Sequence, residues 1–266
     1  MRLTSGQPLW RFTFSFSLIS LLLFAAGFFF SMDPALLRTS PLGAPASEQR
    51  SEQPTTPLPP DGQLKVVTLG DSLTRGAGDA NGVGYVGLVK EALEKRRGTP
   101  PMLTNLAING LESTGLLEQL KQTQVKQAVA DADLILFTIG GNDLFRQSGG
   151  VYDLDEKKLA AAMSGLATNY KQILSQIRSL NKNAPIVYTS LYNPFGDTEA
   201  SVDTIQPVLS WNSKAAELAS RYPKVIVVPT YDLFINKEKA YLYSDHFHPN
   251  QAGYRRIADR IIQALE

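Results

Sequence analysis

Two distant stretches of the chain carry side chains that could together do nucleophilic chemistry. Ser72 ends a run of apolar and β-branched residues in the segment Val66–Thr74, and it could attack a carbonyl once a base takes its proton. The only two histidines, His246 and His248, lie beside Asp245. A carboxylate three residues before His248 can face the imidazole in a turn and fix its tautomer, which leaves Nε2 to accept the serine proton.

Two further stretches could supply hydrogen-bond donors. An Asn-Gly pair ending at Gly110 is a strong turn signal, and glycine would also let a substrate approach its backbone N–H. Residues 140–143 form a second turn signal, and the amide of Asn142 could donate to a developing oxyanion. Each residue also has a purely structural interpretation, because Gly110 and Asn142 suit tight turns and Ser72 suits the N-cap of a helix.

Composition excludes several kinds of site. The chain of 266 residues has no cysteine, so disulfides, thiolate metal sites and cysteine nucleophiles are excluded. Its 26 basic and 25 acidic residues leave a net charge of +1, without the basic excess of nucleic-acid-binding proteins. His246 and His248 could ligate a metal, but no clear third or fourth ligand accompanies them. We therefore expect no cofactor, no metal and no nucleic-acid partner.

Hydrophobic patterning predicts the elements that must position these residues. Five short apolar runs alternate with longer amphipathic segments, a pattern that predicts an α/β fold with a parallel sheet between helices. Right-handed crossovers place the carboxyl ends of all strands at one edge of the sheet, where the candidate residues fall. The predicted strands are Lys65–Leu69, Met102–Ala107, Leu134–Ile139, Ile186–Leu191 and Val225–Val228, and the predicted helices are Tyr85–Arg97, Thr114–Ala130, Asp155–Leu180, Val202–Arg221 and Asn250–Leu265.

The N-terminal residues 1–32 have the features of a membrane anchor. Phe12–Met32 is an uncharged run of 21 residues, long enough to span a ~30 Å hydrocarbon core. Arg2 and Arg11 before it predict a cytoplasmic N-terminus and an exported remainder. A cleaved signal peptide, which would make the protein secreted, fits less well because the run is long and ends in three phenylalanines. A buried core helix is the third interpretation.

The remaining residues divide into a linker and a folded domain. Residues 33–63 are rich in Pro and Ser and predict a flexible linker, whereas residues 64–266 predict one domain of common size. We therefore expect a single-pass protein of the cell membrane with its domain outside the cytoplasm.

The four stretches together resemble the SGNH hydrolase family, also called GDSL esterases and lipases. The resemblance extends from Lys65 to about Tyr254, and within the family it is closest to bacterial membrane-anchored or secreted lysophospholipase-like esterases. It rests on the blocks Gly70-Asp71-Ser72-Leu73, Gly110, Gly141-Asn142-Asp143, and Asp245-x-x-His248-Pro249-Asn250-x-x-Gly253-Tyr254.

The resemblance implies a flavodoxin-like, three-layer α/β/α fold with a five-stranded parallel sheet. It implies Ser72 as nucleophile, His248 as general base and Asp245 as the residue that orients His248. It also implies an oxyanion hole made by the backbone N–H groups of Ser72 and Gly110 and the side-chain amide of Asn142. The resemblance implies no catalytic role for His246.

The implied activity is hydrolysis of an acyl ester, such as a lysophospholipid, a short lipid ester or an O-acetylated glycan. An acyltransferase or a cell-wall glycan O-deacetylase could use the same residues, and a non-catalytic binding module is a further alternative. Five aromatic residues after the fourth and fifth predicted strands could line an acyl pocket or pack in the core. They are Tyr192, Phe195, Trp211, Tyr231 and Phe234.

Overall fold

The computed structural model describes residues 20–21, 24, 58–59, 62–146 and 154–266. The chain divides into two units, Met1–Glu52 and Gln53–Glu266, and all the strands and helices named below belong to the second. The predicted anchor Phe12–Met32 and linker 33–63 lie almost wholly outside the described residues and stay predictions. Within the described ranges, no helix is long and apolar enough to cross a membrane.

Five parallel strands form one sheet in the order β2-β1-β3-β4-β5. The strands are β1 (Lys65–Gly70), β2 (Met102–Asn105), β3 (Leu134–Thr138), β4 (Ile186–Thr189) and β5 (Val225–Val228). This confirms the predicted parallel α/β fold, and the strand order is that of flavodoxin-like folds. Every residue of β3 and β4 is buried, as expected for central strands covered on both faces.

Long and short helices connect the strands. Four of the five predicted helices are confirmed to within two residues at each end. The helices of the described residues are α1 (Ser72–Arg75), α2 (Gly84–Arg97), α3 (Ser113–Gln119), α4 (Thr123–Ala130), α5 (Gly141–Arg146), α6 (Glu156–Leu180), α7 (Ser201–Ala219), α8 (Tyr231–Phe234), α9 (Glu238–Tyr241) and α10 (Gln251–Ala264).

The predicted single helix Thr114–Ala130 is wrong, because two helices, α3 and α4, occupy this segment. Gln122 between them has an extended backbone (φ −69°, ψ 136°), so the helical hydrogen-bond ladder cannot run through it. The break allows Leu120 at the end of α3 and Val125 in α4 to be buried in the same core.

Two hydrophobic cores cover opposite faces of the sheet. Alternate residues of a strand point to opposite faces, and in β3 Ile135 and Phe137 join one core while Leu134 and Leu136 join the other. The first core receives apolar residues from α3, α4, α6 and α7. The second receives them from α2 and α10. The arrangement is the three-layer α/β/α sandwich.

The end of β1 requires a glycine. Gly70 pairs in register with Thr138 of β3 and has a φ of +111°, which L side chains rarely adopt. A Cβ atom there would lie 1.9 Å from the Thr138 carbonyl oxygen. The chain leaves the sheet at this point. Connections from β1 and β3 run in opposite directions along the sheet, and the crevice between them is where such folds bind ligands.

Candidate active site

A continuous chain of hydrogen bonds joins three of the predicted residues. The Nε2 atom of His248 lies 2.8 Å from Ser72 Oγ, and its Nδ1 atom lies 2.7 Å from Asp245 Oδ2. Ser72 is the first residue of α1, directly after β1, and Asp71 is the N-cap. The interpretation of Ser72 as an N-cap is therefore wrong. The fold thus brings Ser72 and His248, which lie 176 positions apart, into one hydrogen-bonded chain with Asp245.

The loop before α10 fixes the orientation of His248. Asp245 Oδ1 accepts hydrogen bonds from the backbone N–H groups of Phe247, at 3.0 Å, and His248, at 2.9 Å. The hydroxyl of Tyr192 donates to the Phe247 carbonyl at 2.6 Å. Partial burial alone would raise the pKa of Asp245, but the hydrogen bonds from the His248 ring and the two N–H groups lower it below its ordinary value. These contacts therefore favour the ionised form of Asp245.

Asp71 holds the turn that carries Ser72. Its Oδ1 atom accepts the Leu73 N–H, at 3.1 Å, and the Thr138 hydroxyl, at 2.6 Å. The hydroxyl of Thr74 lies 2.8 Å from the Thr138 hydroxyl and so joins the same network. Burial raises the pKa of Asp71, and the two hydrogen bonds and the nearby His248 only partly oppose that effect. Asp71 thus ties α1 to β3, a role that the sequence did not reveal.

The three residues predicted to form the oxyanion hole, Ser72, Gly110 and Asn142, line one cavity. Asn142 Nδ2 donates to the Leu111 carbonyl at 3.0 Å, which occupies one of its two protons. Gly110 has a φ of +73°, consistent with the predicted turn. Within residues 62–146 and 154–266, no hydrogen bond uses the backbone N–H of Ser72 or Gly110. Asn142 itself is the second residue of α5, so the alternative interpretation of Asn142 as part of a tight turn is wrong.

Comparison with known proteins identifies the family. The model of the GDSL-like Lipase/Acylhydrolase family matches residues 68–256, most of the chain. The chain belongs to this family. It is therefore a carboxylic ester hydrolase, as the resemblance implied.

Two curated Bacillus proteins are similar to this GDSL-like hydrolase. The uncharacterized protein YpmR of Bacillus subtilis is 36% identical over 208 residues, which cover 76% of this chain and 82% of YpmR. The spore germination lipase LipC of Bacillus licheniformis is 32% identical over 205 residues, which cover 74% of this chain and 94% of LipC.

Solved structures share its architecture. The lipase Lip_vut3 from a goat rumen metagenome superimposes with a TM-score of 0.69 at 31% identity, covering 76% of this chain and 97% of the lipase. Axe2, an acetylxylan esterase from Geobacillus stearothermophilus, gives a TM-score of 0.60 at 20% identity, covering 77% and 95% of the two chains. At that identity the second likeness shows the fold alone.

Asp143 of the GDSL-like hydrolase is structural in this geometry. Both of its carboxylate oxygens accept the backbone N–H of Ser113, at 3.0 and 3.1 Å, and one also accepts the Ser113 hydroxyl. Asn169 of α6 donates to the same hydroxyl at 2.9 Å. Burial raises the pKa of Asp143, and the Ser113 hydrogen bonds partly oppose this. Asp143 therefore joins the start of α5 to the start of α3 and holds its neighbour Asn142.

Two cavities of the hydrolase meet at Ser72. Both are lined by Ser72, His248, Gly141, Asn142, Phe145 and Phe247. The smaller cavity is also lined by Asp71, Leu73, Leu191, Tyr192 and Pro194, and apart from the Asp71 carboxylate this part of its wall is mostly apolar. The larger cavity is more open, and Ala77, Asn109, Gly110 and Arg146 complete its wall. Both cavities are therefore mostly apolar, and the larger one has the more polar wall.

The five predicted aromatic residues divide between cavity and core. Only Tyr192 lines the smaller cavity, whereas Trp211 and Phe234 are wholly buried in the two cores. Phe195 packs edge-on against Phe145 at a centroid distance of 5.7 Å, so it supports the cavity wall from behind. Tyr231 packs against the first core and does not line either cavity.

Two aromatic residues of the cavity wall were missed by sequence reasoning. Phe145 and Phe247 line both cavities. A signal for each existed, because Phe145 follows Asn142 by three residues on the same helix and Phe247 immediately precedes His248. Aromatic residues next to Asn142 and His248 in sequence were therefore better candidates for the cavity wall than aromatic residues that merely follow a strand.

His246 does not join the three hydrogen-bonded residues. It is exposed, its backbone lies in the left-handed region (φ +52°), and its N–H donates to the Tyr243 carbonyl at 3.0 Å. Across residues 62–146 and 154–266, no three His, Asp or Glu side chains are grouped so as to hold a metal ion.

Proposed function

We propose that this hydrolase is a serine esterase in which Ser72 is the nucleophile, His248 the general base and Asp245 the orienting carboxylate. The supporting observation is the unbroken hydrogen-bonded chain from Ser72 through His248 to Asp245, with contacts of 2.8 and 2.7 Å. Each contact lies within the distance needed for proton transfer or orientation.

In the proposed first half-reaction, Ser72 Oγ attacks the carbonyl carbon of the ester while His248 Nε2 takes its proton. Asp245 stabilises the resulting imidazolium and keeps Nδ1 as the donor. Negative charge develops on the former carbonyl oxygen, and the N–H groups of Ser72 and Gly110 and the free proton of Asn142 donate to it. The tetrahedral intermediate collapses as His248 protonates the departing alcohol.

The second half-reaction repeats this geometry with water. His248 removes a proton from the water molecule, which attacks the acyl-serine, and the same three donors again stabilise the oxyanion. Collapse of this intermediate breaks the acyl–oxygen bond and returns the proton to Ser72, releasing the carboxylic acid. Transfer to an alcohol instead of water would use the same groups.

The wall of the smaller, more apolar cavity is evidence for a substrate whose acyl chain is longer than acetyl. Its wall consists largely of Phe145, Leu191, Tyr192, Pro194 and Phe247, and burial of methylene groups against such a surface contributes roughly 0.8 kcal/mol each. Lipid esters are therefore the substrates we propose. LipC and Lip_vut3 are both named as lipases, which agrees with lipid esters as substrates.

The test is hydrolysis of p-nitrophenyl esters from acetyl to dodecanoyl by the full chain and by Ser72→Ala. We expect the substitution to lower kcat at least about 10³-fold, because it removes the attacking oxygen. Ser179→Ala, which removes an exposed hydroxyl on α6, is the matched control and should keep wild-type activity.

A fluorophosphonate probe should label the wild-type protein but not Ser72→Ala. Retained hydrolysis in Ser72→Ala would refute the assignment, and an unlabelled, inactive wild-type protein would favour the non-catalytic binding module. Adding an alcohol acceptor and analysing the products separates hydrolysis from acyl transfer.

We also propose that Phe12–Met32 anchors the hydrolase in the membrane, with residues 64–266 outside the cytoplasm. The support is the length of the uncharged run and the arginines before it. Alkaline carbonate should leave the full chain in the membrane pellet and release a variant that lacks residues 1–32. A full chain that is extracted, or that is found cleaved in the medium, would contradict the anchor.

A further inference from the structure

The two cavities give the two halves of an ester different environments. An ester bound with its carbonyl carbon at Ser72 extends its acyl group to one side and its alcohol to the other. The smaller cavity has the more apolar wall, which suits the acyl group. The alcohol then faces the larger cavity, where Asn109 and Arg146 are the polar side chains that the smaller cavity lacks.

Arg146 has unused hydrogen-bonding capacity in this cavity. It is the last residue of α5, and its Nη1 atom donates to the Gly110 carbonyl at 3.2 Å. A guanidinium carries five N–H donors, and within the described part of the chain this contact is the one hydrogen bond that the Arg146 side chain forms, which leaves most of the fork available. Within residues 62–146 and 154–266, no carboxylate forms an ion pair with Arg146.

The carboxylates closest in sequence and function are engaged elsewhere. Asp143, three residues before Arg146, accepts hydrogen bonds from Ser113, and Asp245 accepts from His248. The hydrogen bond to Gly110 holds the guanidinium beside the turn whose N–H we assign to the oxyanion hole. Among the described residues, Arg146 is therefore a positioned cation without a carboxylate partner, on the side of Ser72 that we assign to the alcohol.

We propose that Arg146 forms an anion-binding subsite that receives a phosphate on the alcohol part of the ester. The inference rests on the proposed esterase function and names the alcohol that the site selects. A guanidinium binds two phosphate oxygens with parallel N–H bonds, a fit that a neutral sugar hydroxyl does not provide. An acyl glycerol phosphate combines an apolar acyl chain with such a group, whereas an O-acetylated neutral glycan has neither.

The test compares two substrates that differ only in the phosphate, 1-hexanoylglycerol and 1-hexanoylglycerol 3-phosphate. The full chain, Arg146→Gln, Arg146→Lys and Arg255→Gln are assayed with both. Arg255 is an exposed arginine of α10 that lines neither cavity. Arg255→Gln is therefore the control, because it changes the net charge by the same amount as Arg146→Gln. The quantity measured is the kcat/KM for the phosphate ester divided by that for the neutral ester.

We expect Arg146→Gln to lower this ratio about 10-fold or more, mainly through KM for the phosphate ester, as loss of a charge-assisted hydrogen bond predicts. Arg146→Lys should recover part of the ratio, because it restores the charge but not the fork. Arg255→Gln should leave the ratio unchanged. Loss of the hydrogen bond to Gly110 should change kcat/KM for both substrates by the same factor, so this effect cancels in the ratio.

A second measurement separates a substrate subsite from a site for free anions. Glycerol 3-phosphate should inhibit hydrolysis of p-nitrophenyl hexanoate competitively, more strongly than inorganic phosphate does, and Arg146→Gln should weaken this inhibition. Equal inhibition by inorganic phosphate would overturn the proposal, because the glycerol part would then contribute nothing to binding in the larger cavity.

The proposal also fails if the substrate ratio is the same in Arg146→Gln and the wild type, or if the wild type hydrolyses p-nitrophenyl esters but neither glyceride. In both cases the esterase function stands. A folded wild type that hydrolyses no ester at all contradicts the esterase function itself, and the subsite falls with it.

Discussion

Replacing Asn142 with alanine tests the proposed oxyanion hole more directly than any other single change. The side-chain amide has two protons, and the Leu111 carbonyl takes one of them at 3.0 Å. The substitution therefore has two separable consequences: loss of a structural hydrogen bond and loss of a donor to the transition state.

The two consequences differ in size. A hydrogen bond such as that to Leu111 contributes about 0.5–1.5 kcal/mol to the free energy of unfolding, so Tm should fall by roughly 1–6 °C in a domain of this size. Removal of one oxyanion donor typically raises the activation barrier by ~2.7–4 kcal/mol, which lowers kcat about 10²–10³-fold. KM should change little, because this donor acts on charge that develops only in the transition state.

The assay is steady-state hydrolysis of p-nitrophenyl hexanoate together with thermal unfolding. Asn169→Ala is the matched control, because Asn169 also donates one side-chain hydrogen bond, to Ser113 Oγ at 2.9 Å, and lines neither cavity that contains Ser72. We expect the control to lose a similar amount of Tm and to keep its kcat. A folded Asn142→Ala enzyme with kcat within about threefold of wild type would remove Asn142 from the oxyanion hole.

Two further predictions concern the turn at the end of β1. Gly70→Ala should lower stability by at least about 4 kcal/mol, or Tm by roughly 10 °C, because its Cβ would lie 1.9 Å from the Thr138 carbonyl oxygen. Gly98→Ala, with a φ of +71° and no atom within 4 Å of its Cβ, should cost only about 1 kcal/mol, and equal Tm losses would contradict the steric argument. Asp71→Asn should gain Tm relative to wild type as pH rises. Burial raises the folded-state pKa of Asp71, so its stabilising contribution is full below the unfolded pKa of about 3.9 and is lost as pH rises through the folded value. A Tm difference that does not vary between pH 4 and pH 8 would refute this.

The sequence predicted those features that depend on residues close together in the chain. Strand and helix periodicity predicted the parallel sheet, because apolar runs and amphipathic segments depend only on near neighbours. The Asp245–His248 contact was predictable for the same reason, since three residues separate the two side chains in a tight loop. Ser72 was predictable as its partner because the carboxyl ends of parallel strands meet at one edge.

The parts that were not predictable depend on contacts between distant segments. The hydrogen bond between Asp71 and Thr138 joins residues 67 positions apart, and neither residue type by itself indicates a partner. Short helices such as α5 have too few residues for periodicity, so Asn142 was placed in a turn instead of a helix. The polarity of the two cavities depends on Arg146 and Tyr192, which arrive from different strand ends.

Asp71 shows how the scaffold accepts a local cost to fix the reactive serine. A buried carboxylate is unfavourable when ionised, and the raised pKa of Asp71 is the measure of that effect. The same carboxylate nevertheless joins three parts of the fold: it caps α1, it accepts the Thr138 hydroxyl from β3, and its charge attracts His248 when the imidazole becomes protonated. A neutral cap would keep the first two contacts but would lose the attraction. Asp71→Asn should therefore gain stability relative to the wild type as pH rises and be the slower enzyme, a combination that a purely structural role for Asp71 does not produce.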